Sequence, residues 1–339
     1  MVDVMTDDLD GPTEKWAAPR PRPEPPPLRH FVGDLPAPHL SRERWARIVI
    51  DRPGPEIEPR PAATGSYRPD TIFDGWSTDD FTLRLASVRG RRHRGQGTPR
   101  QDDVAATVHP RTGSIVFAVA DGASAAEHSH IGAALACRSA IVGAMADLER
   151  RTAVDWQAVF QRTAANLVSR TGRMLGGDGS DVARAAAALG TTLVAGVLSP
   201  MPGPPKLSLG YVGGSAAWLL KRHRYERLTP RPAEGALPLP HMPDRVGRLD
   251  RSIPADAVLL VGTAGFGDPL GEGRGHVGEL FAWLFGMSPN ALALAHVLDF
   301  VQEAYDDDRT LLAVSPNRAR TREVDPQRRS PGWSAWQRG

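Results

Sequence analysis

Apolar and polar residues alternate along several short segments of the chain, which is the pattern of half-buried β-strands. Phe81–Val88 alternates in this way, and Asp103–Thr107 and Ser114–Ala120 are predicted to form a hairpin that turns at His109–Gly113. The remaining predicted strands are Thr192–Leu198, Leu207–Val212, Ala216–Leu220, Tyr225–Leu228, Ala257–Gly262 and Leu311–Val314.

Four other segments carry apolar residues at the spacing of an amphipathic helix. They are Ile131–Leu148, Trp156–Met174, Val277–Leu284 and Ala291–Val301. The apolar stripes are expected to be core faces, and Cys137 on the first stripe to be a small buried hydrophobe. Hairpins that alternate with helix pairs predict an α+β fold, with helices packed on antiparallel sheets.

The pattern is confined to the middle of the chain. Residues 1–66 are rich in Pro, Arg and Glu, and we expect this segment to be largely disordered. Its one apolar patch, Trp45–Ile50, is interpreted either as a docking strand or as a partner motif. The folded domain is predicted to span residues 67–316, and residues 317–339 to form a basic tail.

Composition narrows the class of protein. The chain has 339 residues, of which 41% are hydrophobic and 24% charged, as in a soluble globular protein. No apolar run approaches the 18 or so residues of a transmembrane helix, so no membrane partner is expected. A net charge of +2 is too small to indicate nucleic acid as a partner, and one cysteine cannot form an intramolecular disulfide. A cytoplasmic location is the simplest expectation.

Three acidic groups stand at predicted strand ends or turns: Asp102–Asp103, Asp121 with Gly122, and Asp306–Asp308. Carboxylates in such positions can hold Mg²⁺ or Mn²⁺, because these ions prefer oxygen ligands. Gly122 would let the backbone turn sharply and leave its carbonyl free as a ligand. Any single Asp at a strand end is more often a turn or cap residue, so the order of all three groups carries the metal hypothesis.

That order resembles the metal-dependent PPM, or type 2C, protein phosphatases over about residues 85–314, in particular bacterial members. The matching motifs, in chain order, are Arg89-Gly90 through His93, Gly97 and Gln101-Asp102; Val119-Ala120-Asp121-Gly122 followed by Ser129 and Gly132; Gly190-Thr191-Thr192-Leu193; Val212-Gly213-Gly214-Ser215; Leu228-Thr229; Gly262-Thr263-Ala264-Gly265-Phe266; and Asp307-Asp308-Arg309-Thr310.

The resemblance implies a β-sandwich of two antiparallel sheets flanked by helix pairs, in α-β-β-α layers. It also implies two Mn²⁺ or Mg²⁺ ions that acidify a water, which attacks the phosphorus of phosphoserine or phosphothreonine on a protein. Asp121 would bridge the ions, the Gly122 carbonyl would bind one of them, and Asp307 would be a terminal ligand of the other. Asp102 would support the metal ligands without binding an ion directly, or would bind an ion through a water molecule.

Phosphate also needs a cation near the metals. The basic residues just before Asp102 could supply it, and Arg89 and Arg94 are the assigned candidates; the alternative is a solvated basic loop. His93 is interpreted as a proton donor to the leaving alkoxide or as a structural histidine.

Two positions depart from the family pattern: Ala264 and Gly214 stand where the family carries Asp. Because these carboxylates are lost, the site would bind one metal ion or none instead of two, unless Asp268 or Asp308 supplies the missing ligand. The competing hypothesis is therefore an inactive pseudophosphatase that binds a phosphoprotein or a Ser/Thr kinase. A third interpretation is an adaptor that works through the Pro-rich N-terminal segment.

Overall fold

This computed structural model describes residues 47–53, 57–61, 68–150, 153–177 and 179–317. All of them belong to one unit of the chain, His39–Gly339. The predictions made for residues 1–46 and for the tail beyond residue 317 lie outside the described residues.

The described residues form eleven strands and seven helices. The strands are β1 Thr71–Ser77, β2 Phe81–Val88, β3 Asp103–Val108, β4 Ile115–Ala120, β5 Leu193–Ser199, β6 Lys206–Val212, β7 Ala216–Lys221, β8 Arg224–Arg227, β9 Gly247–Ser252, β10 Val258–Gly262 and β11 Arg309–Pro316. The helices are α1 Arg91–Gln96, α2 Ser129–Arg150, α3 Trp156–Leu175, α4 Val182–Leu189, α5 Ala264–Leu270, α6 His276–Gly286 and α7 Ala291–Leu298.

The strands pair into two antiparallel sheets. One sheet has six strands in the order β1-β2-β11-β10-β7-β8, and the other has five in the order β3-β4-β5-β6-β9. In the first sheet Arg309 pairs with Val88 and Gly262 with Leu311, and in the second Asp103 pairs with Ala120. These registers place the end of β2, the end of β10 and the start of β11 next to one another, at the same end of the strands of the six-stranded sheet.

Successive apolar side chains of a strand point to opposite faces of its sheet, so the core consists of three layers of apolar side chains. In β4, Ile115, Phe117 and Val119 face the space between the sheets, whereas Val116 and Ala118 face α2 and α3. Successive side chains of a strand point to opposite faces, so a fully apolar strand serves both layers. Helices α5, α6 and α7 cover the outer face of the six-stranded sheet. The predicted fold class, α+β with α-β-β-α layers, is confirmed.

Every strand and helix predicted above is present, with ends that differ by a few residues. Five elements were not predicted: β1, α1, α4, β9 and α5. Helix α1, with the sequence RRHRGQ, has no apolar stripe, and α5 contains two glycines and Pro269. Without a periodic apolar stripe, the sequence of such a segment gives only a weak indication of a helix. Tertiary contacts stabilise these short helices instead.

The apolar patch before the domain docks onto it. Ile48 and Ile50 are buried in the core beneath α6 and α7, and Val49 forms a parallel bridge with Val301. Backbone hydrogen bonds of 2.9 and 2.7 Å join Ile50 and Ile48 to Val301. Of the two interpretations of this patch, the structure supports docking, so packed structure begins before the predicted boundary at residue 67.

Helix α2 is long and apolar enough, by length and composition alone, to cross a membrane. Half of its apolar window is buried inside the protein, however, and Ala133, Ala136 and Ala140 pack in the core against the five-stranded sheet. A buried core helix passes the same test, so this composition assigns no membrane contact.

Candidate active site

The acidic groups meet where strands of the two sheets end. Asp121 follows β4 and Asp102 precedes β3 in one sheet, whereas Asp307 and Asp308 precede β11 in the other. A hydrogen bond of 3.2 Å from the Ala264 N–H to Asp121 Oδ2 links the two sheets at this point. The structure thus brings together residues that are up to about two hundred positions apart in the sequence.

The backbone of Asp121 is fixed by the neighbouring strand. Its carbonyl accepts hydrogen bonds from the Thr192 N–H at 2.8 Å and from the Thr191 hydroxyl at 2.9 Å. Burial, and next the negative charge of Asp307, raise the pKa of Asp121 to about 7. The negative charge of Asp307 thus acts on Asp121, and a shared metal site for the two carboxylates stays a prediction.

Asp102 lies behind Asp121 and is buried. Its Oδ2 accepts hydrogen bonds from the hydroxyls of Thr263 at 2.7 Å and Thr310 at 2.9 Å. Burial, followed by the charges of Asp121 and Asp308, raises the pKa of Asp102 well above its usual range. A buried carboxyl held in this way supports the site behind Asp121.

Asp308 is turned toward the protein interior. Its Oδ1 accepts from the Gly90 N–H and its Oδ2 from the Gln101 N–H, both at 2.6 Å, and His93 Nδ1 lies 2.9 Å from Oδ1. Burial alone would raise the pKa of Asp308, but the hydrogen bond and charge of His93 bring it below its usual value. Both oxygens of Asp308 already have donors, yet Asp308 also lies with His93 and Asp307 in a group whose ligand atoms are within 4.8 Å of one another. Compensation by Asp308 for a missing ligand stays a prediction.

Two glycines allow the loop that carries Asp307 and Asp308 to lie between its neighbours. A Cβ at Gly90 would overlap the backbone of Asp307, and a Cβ at Gly265 would overlap the carbonyl of Asp308. The close approach of backbone to backbone requires glycine at both positions.

Asp307 faces outward, with 44% of its side chain exposed, and it has a cationic partner. The Arg92 guanidinium lies 3.0 Å from Asp307 Oδ1, and His93 Nε2 lies 3.9 Å from the same atom. Burial would lower the pKa of His93, but Asp308 and then Asp307 raise it above its usual value. His93 is buried between two carboxylates, so its expected role as a proton donor to substrate is not supported.

The assigned phosphate ligands Arg89 and Arg94 have other contacts. Arg94 donates to both carboxylate oxygens of Asp70, at 2.7 and 3.0 Å, and to Asp299 at 2.7 Å. Arg89 donates to the carbonyls of Arg60 and His93. Arg94 lies in α1 and Arg89 precedes that helix, and the contacts named here are made with Asp70, Asp299 and backbone carbonyls. The role of Arg89 and Arg94 as phosphate ligands stays a prediction.

Arg92 is the residue that the sequence interpretation missed. Four arginines surround His93, and only the helical phase of α1 distinguishes the one beside Asp307 from the others. Its side chain is 37% exposed, so its guanidinium can meet a ligand from solvent. Only knowledge of helix α1 could have identified Arg92 as the arginine beside Asp307.

Ala264 borders the site as the first residue of α5, and Asp268 follows one helical turn later. Burial raises the pKa of Asp268 and the charge of Asp307 adds to this effect, although Arg227 and Arg231 oppose it. Asp268 is thus near enough to sense Asp307, and it stays a candidate compensating ligand. At Gly214, a Cβ would meet nothing within 4 Å, so an aspartate would fit there.

Asp121 and the Gly122 backbone offer oxygen atoms to a dication, although among the described residues the close group of potential metal ligands, within 4.8 Å of one another, is His93, Asp307 and Asp308. The Asp121 carboxylate accepts a hydrogen bond from the Ala264 N–H, and burial, followed by the negative charges of Asp307 and Asp308, raises its pKa. A Cβ at Gly122 would overlap Ser129 and the Gln101 carbonyl, so this turn accepts only glycine. An unneutralised carboxylate beside backbone oxygen is the donor set that Mg²⁺ and Mn²⁺ prefer.

A groove of about 980 Å³ lies elsewhere, at the opposite ends of the strands of the six-stranded sheet. Its lining includes Arg84, Arg222 and Phe285 and none of the acidic cluster. We assign the site from the carboxylates, because a shallow metal centre need not form a deep cavity.

Comparisons with known proteins support the α-β-β-α fold described above. Residues 89–235 match the family model described as protein phosphatase 2C, and no curated protein sequence matches the chain. The catalytic domain of the serine/threonine protein phosphatase PstP, solved with two manganese ions, is 17% identical; the alignment covers 70% of this chain and 98% of that chain, with a TM-score of 0.50.

Two further solved structures are similar at lower scores. The serine/threonine phosphatase of S. agalactiae is 12% identical, with 70% of this chain and 100% of that chain covered and a TM-score of 0.48. PppA, a regulatory component of T6SS in Pseudomonas aeruginosa, is 17% identical, with 72% and 100% covered and a TM-score of 0.46. At these identities the PstP match establishes the fold alone.

Proposed function

The chain contains a domain of the protein phosphatase 2C family, and on that premise we propose that it is a metal-dependent phosphatase of phosphoserine or phosphothreonine in proteins. The observation that carries the proposal is Asp121: a carboxylate followed by glycine, surrounded by other carboxylates, at the junction of the two sheets. An excess of negative charge at such a junction favours a bound dication.

Asp121 and the Gly122 carbonyl would hold this Mn²⁺ or Mg²⁺ ion. When bound, the ion would supply positive charge that acidifies a nucleophilic water next to the phosphorus. Asp102, held by the hydroxyls of Thr263 and Thr310, would support the site behind Asp121. The precise orientation of a ligand by such supporting groups contributes strongly to metal affinity.

Arg92 would bind the phosphate group of the substrate. Its guanidinium contacts Asp307 through one nitrogen, which leaves further N–H donors for phosphate oxygens. The exposed side chains of Arg92 and Asp307 mark the side from which a phosphorylated segment would enter. A protein phosphorylated by a Ser/Thr kinase, in the cytoplasm, is the substrate we propose.

A second candidate function is phosphoprotein binding without turnover. Ala264 favours it, since a methyl group stands where the family pattern has a metal-binding carboxylate. Arg92 would still bind the phosphate in that case. The two candidates differ only in whether phosphate is released.

The test is release of inorganic phosphate from a phosphothreonine peptide, titrated with Mn²⁺, for the natural chain and for Asp121→Asn. Asp256→Asn is the matched control, because Asp256 pairs with Lys221 at the far end of the sheet. We expect slow, Mn²⁺-dependent release that Asp121→Asn abolishes and Asp256→Asn leaves unchanged. Peptide binding without release would favour the second candidate, and neither binding nor release would contradict both.

A further inference from the structure

The part of the site beside Asp307 differs from the part beside Asp121 in its balance of charge. Asp307 and Asp308 have Arg92 and His93 within 3.0 and 2.9 Å, whereas the hydrogen bond that reaches the Asp121 carboxylate comes from the uncharged Ala264 N–H at 3.2 Å. Ala264, the third member of the Asp307 side, offers no ligand atom in its side chain. A second dication would thus meet one carboxylate that is already paired and a methyl group.

Arg92 is attached to the same loop that carries Asp307. Its backbone N–H donates to the Asp306 carbonyl at 3.0 Å, and Gly90, which precedes α1, packs directly on the backbone of Asp307. The guanidinium is therefore held beside Asp307 by its own helix.

We propose that this chain binds one dication, at Asp121 and the Gly122 carbonyl, and that Arg92 occupies the place of a second ion at Asp307. The inference deepens the proposed function and rests on it. It reconciles the retained Asp121 with the lost carboxylate at position 264, because a built-in cation takes over the neutralisation of Asp307. In such a site the guanidinium contacts Asp307 and the substrate phosphate at once.

The experiment counts ions. Mn²⁺ binding to the full chain is measured by titration calorimetry and by electron paramagnetic resonance, with circular dichroism to verify the fold of each variant. The variants are Asp121→Asn, His93→Gln, the double variant Arg92→Gln/Ala264→Asp, and the matched control Arg91→Gln/Ala264→Asp. In the control the neighbouring arginine, which donates to the Pro53 carbonyl, is changed instead.

We expect one Mn²⁺ per natural chain with the spectrum of an isolated ion, and loss of that ion in Asp121→Asn. The Arg92→Gln/Ala264→Asp variant should bind a second ion at least tenfold more tightly than the Arg91→Gln/Ala264→Asp control. Its two ions, about 3.5–4 Å apart as in two-metal sites, should show a spin-coupled spectrum.

Four results would overturn the inference. Two coupled ions in the natural chain would do so while leaving the proposed phosphatase function intact. An ion retained in Asp121→Asn but lost in His93→Gln would place the metal among His93, Asp307 and Asp308 instead, whose ligand atoms lie within 4.8 Å of one another. Equal second-ion affinity in the double variant and its control would exclude Arg92. No bound ion at all would contradict the proposed function as well.

Discussion

The two sheets supply two unlike halves of one site. The Asp121 half consists of Asp121, Gly122, Thr191 and Thr192; Thr191 and Thr192 hold the backbone carbonyl of Asp121, and the Asp121 carboxylate accepts a hydrogen bond from the Ala264 N–H. The Asp307 half consists of Ala264, Asp307 and Asp308 with Arg92 and His93, and there the carboxylates are paired with cations.

Under the proposed one-ion assignment, the difference explains how the site keeps its balance of charge although Ala264 offers no carboxylate. In the Asp307 half, a short basic helix neutralises the carboxylates from within the protein. For the Asp121 half, we propose that a dication bound from solvent neutralises the carboxylate. Four predictions test this contrast, beginning with the largest expected effect.

Asp121→Asn should reduce the rate of phosphate release by about 10³-fold or more. At an effective dielectric of 20, unit charges 4 Å apart attract by about 4 kcal/mol, which corresponds to about three powers of ten. The measurement is initial rate against Mn²⁺ concentration, with Asp256→Asn as the control. A rate that Mn²⁺ restores fully in Asp121→Asn would remove the distinction between the two halves.

His93→Gln should lower the free energy of unfolding by about 3 kcal/mol, the lower end of the range for breaking a buried ion pair. Asp308 is buried and would lose its cationic partner, although the Gly90 and Gln101 N–H donors remain. Denaturant unfolding measures the loss. An unchanged free energy of unfolding would mean that the pair adds nothing to the Asp307 half.

Gly90→Ala should destabilise the protein by about 1–3 kcal/mol, as overpacking does. The new methyl group would overlap the backbone of Asp307, whereas in Gly214→Ala it would meet open space. Melting temperatures of the two variants give a matched comparison: we expect a fall of several degrees for Gly90→Ala and none for Gly214→Ala. Equal melting temperatures would contradict the close packing of α1 on the Asp307 loop.

Ala264→Asp should lower the Mn²⁺ concentration needed for half-maximal activity by about tenfold, or about 1.4 kcal/mol. Aspartate in the first turn of α5 also suits the helix dipole, so we expect no loss of stability. The gain is limited because Arg92 still pairs with Asp307. If the natural chain already has full activity and Ala264→Asp adds nothing, Asp268 one turn later is the residue to change next.

Much of the fold could be predicted from the sequence, because alternation in segments such as Phe81–Val88 and Ser114–Ala120 is dictated by burial on one or both faces. The elements that escaped prediction are held by tertiary contacts. Strand β1 contains Asp74 and Gly75 and is fixed by pairing with β2, and α1 is anchored by Gly90 and Asp306.

The meeting of Asp102, Asp121 and Asp307 could be predicted from their positions at strand ends together with the family resemblance. Which arginine faces them could not. Arg89, Arg92 and Arg94 are equivalent in composition, and their contacts depend on the helical turn of α1 and on acids such as Asp70 and Asp299 that lie far away in the sequence.

The most direct test of the account is anomalous X-ray diffraction at the manganese edge from crystals of the natural chain grown with Mn²⁺. We predict one anomalous peak, beside the Asp121 carboxylate and the Gly122 carbonyl, with the Arg92 guanidinium still in contact with Asp307. Two peaks on either side of Asp121, with Arg92 displaced from Asp307, would contradict it.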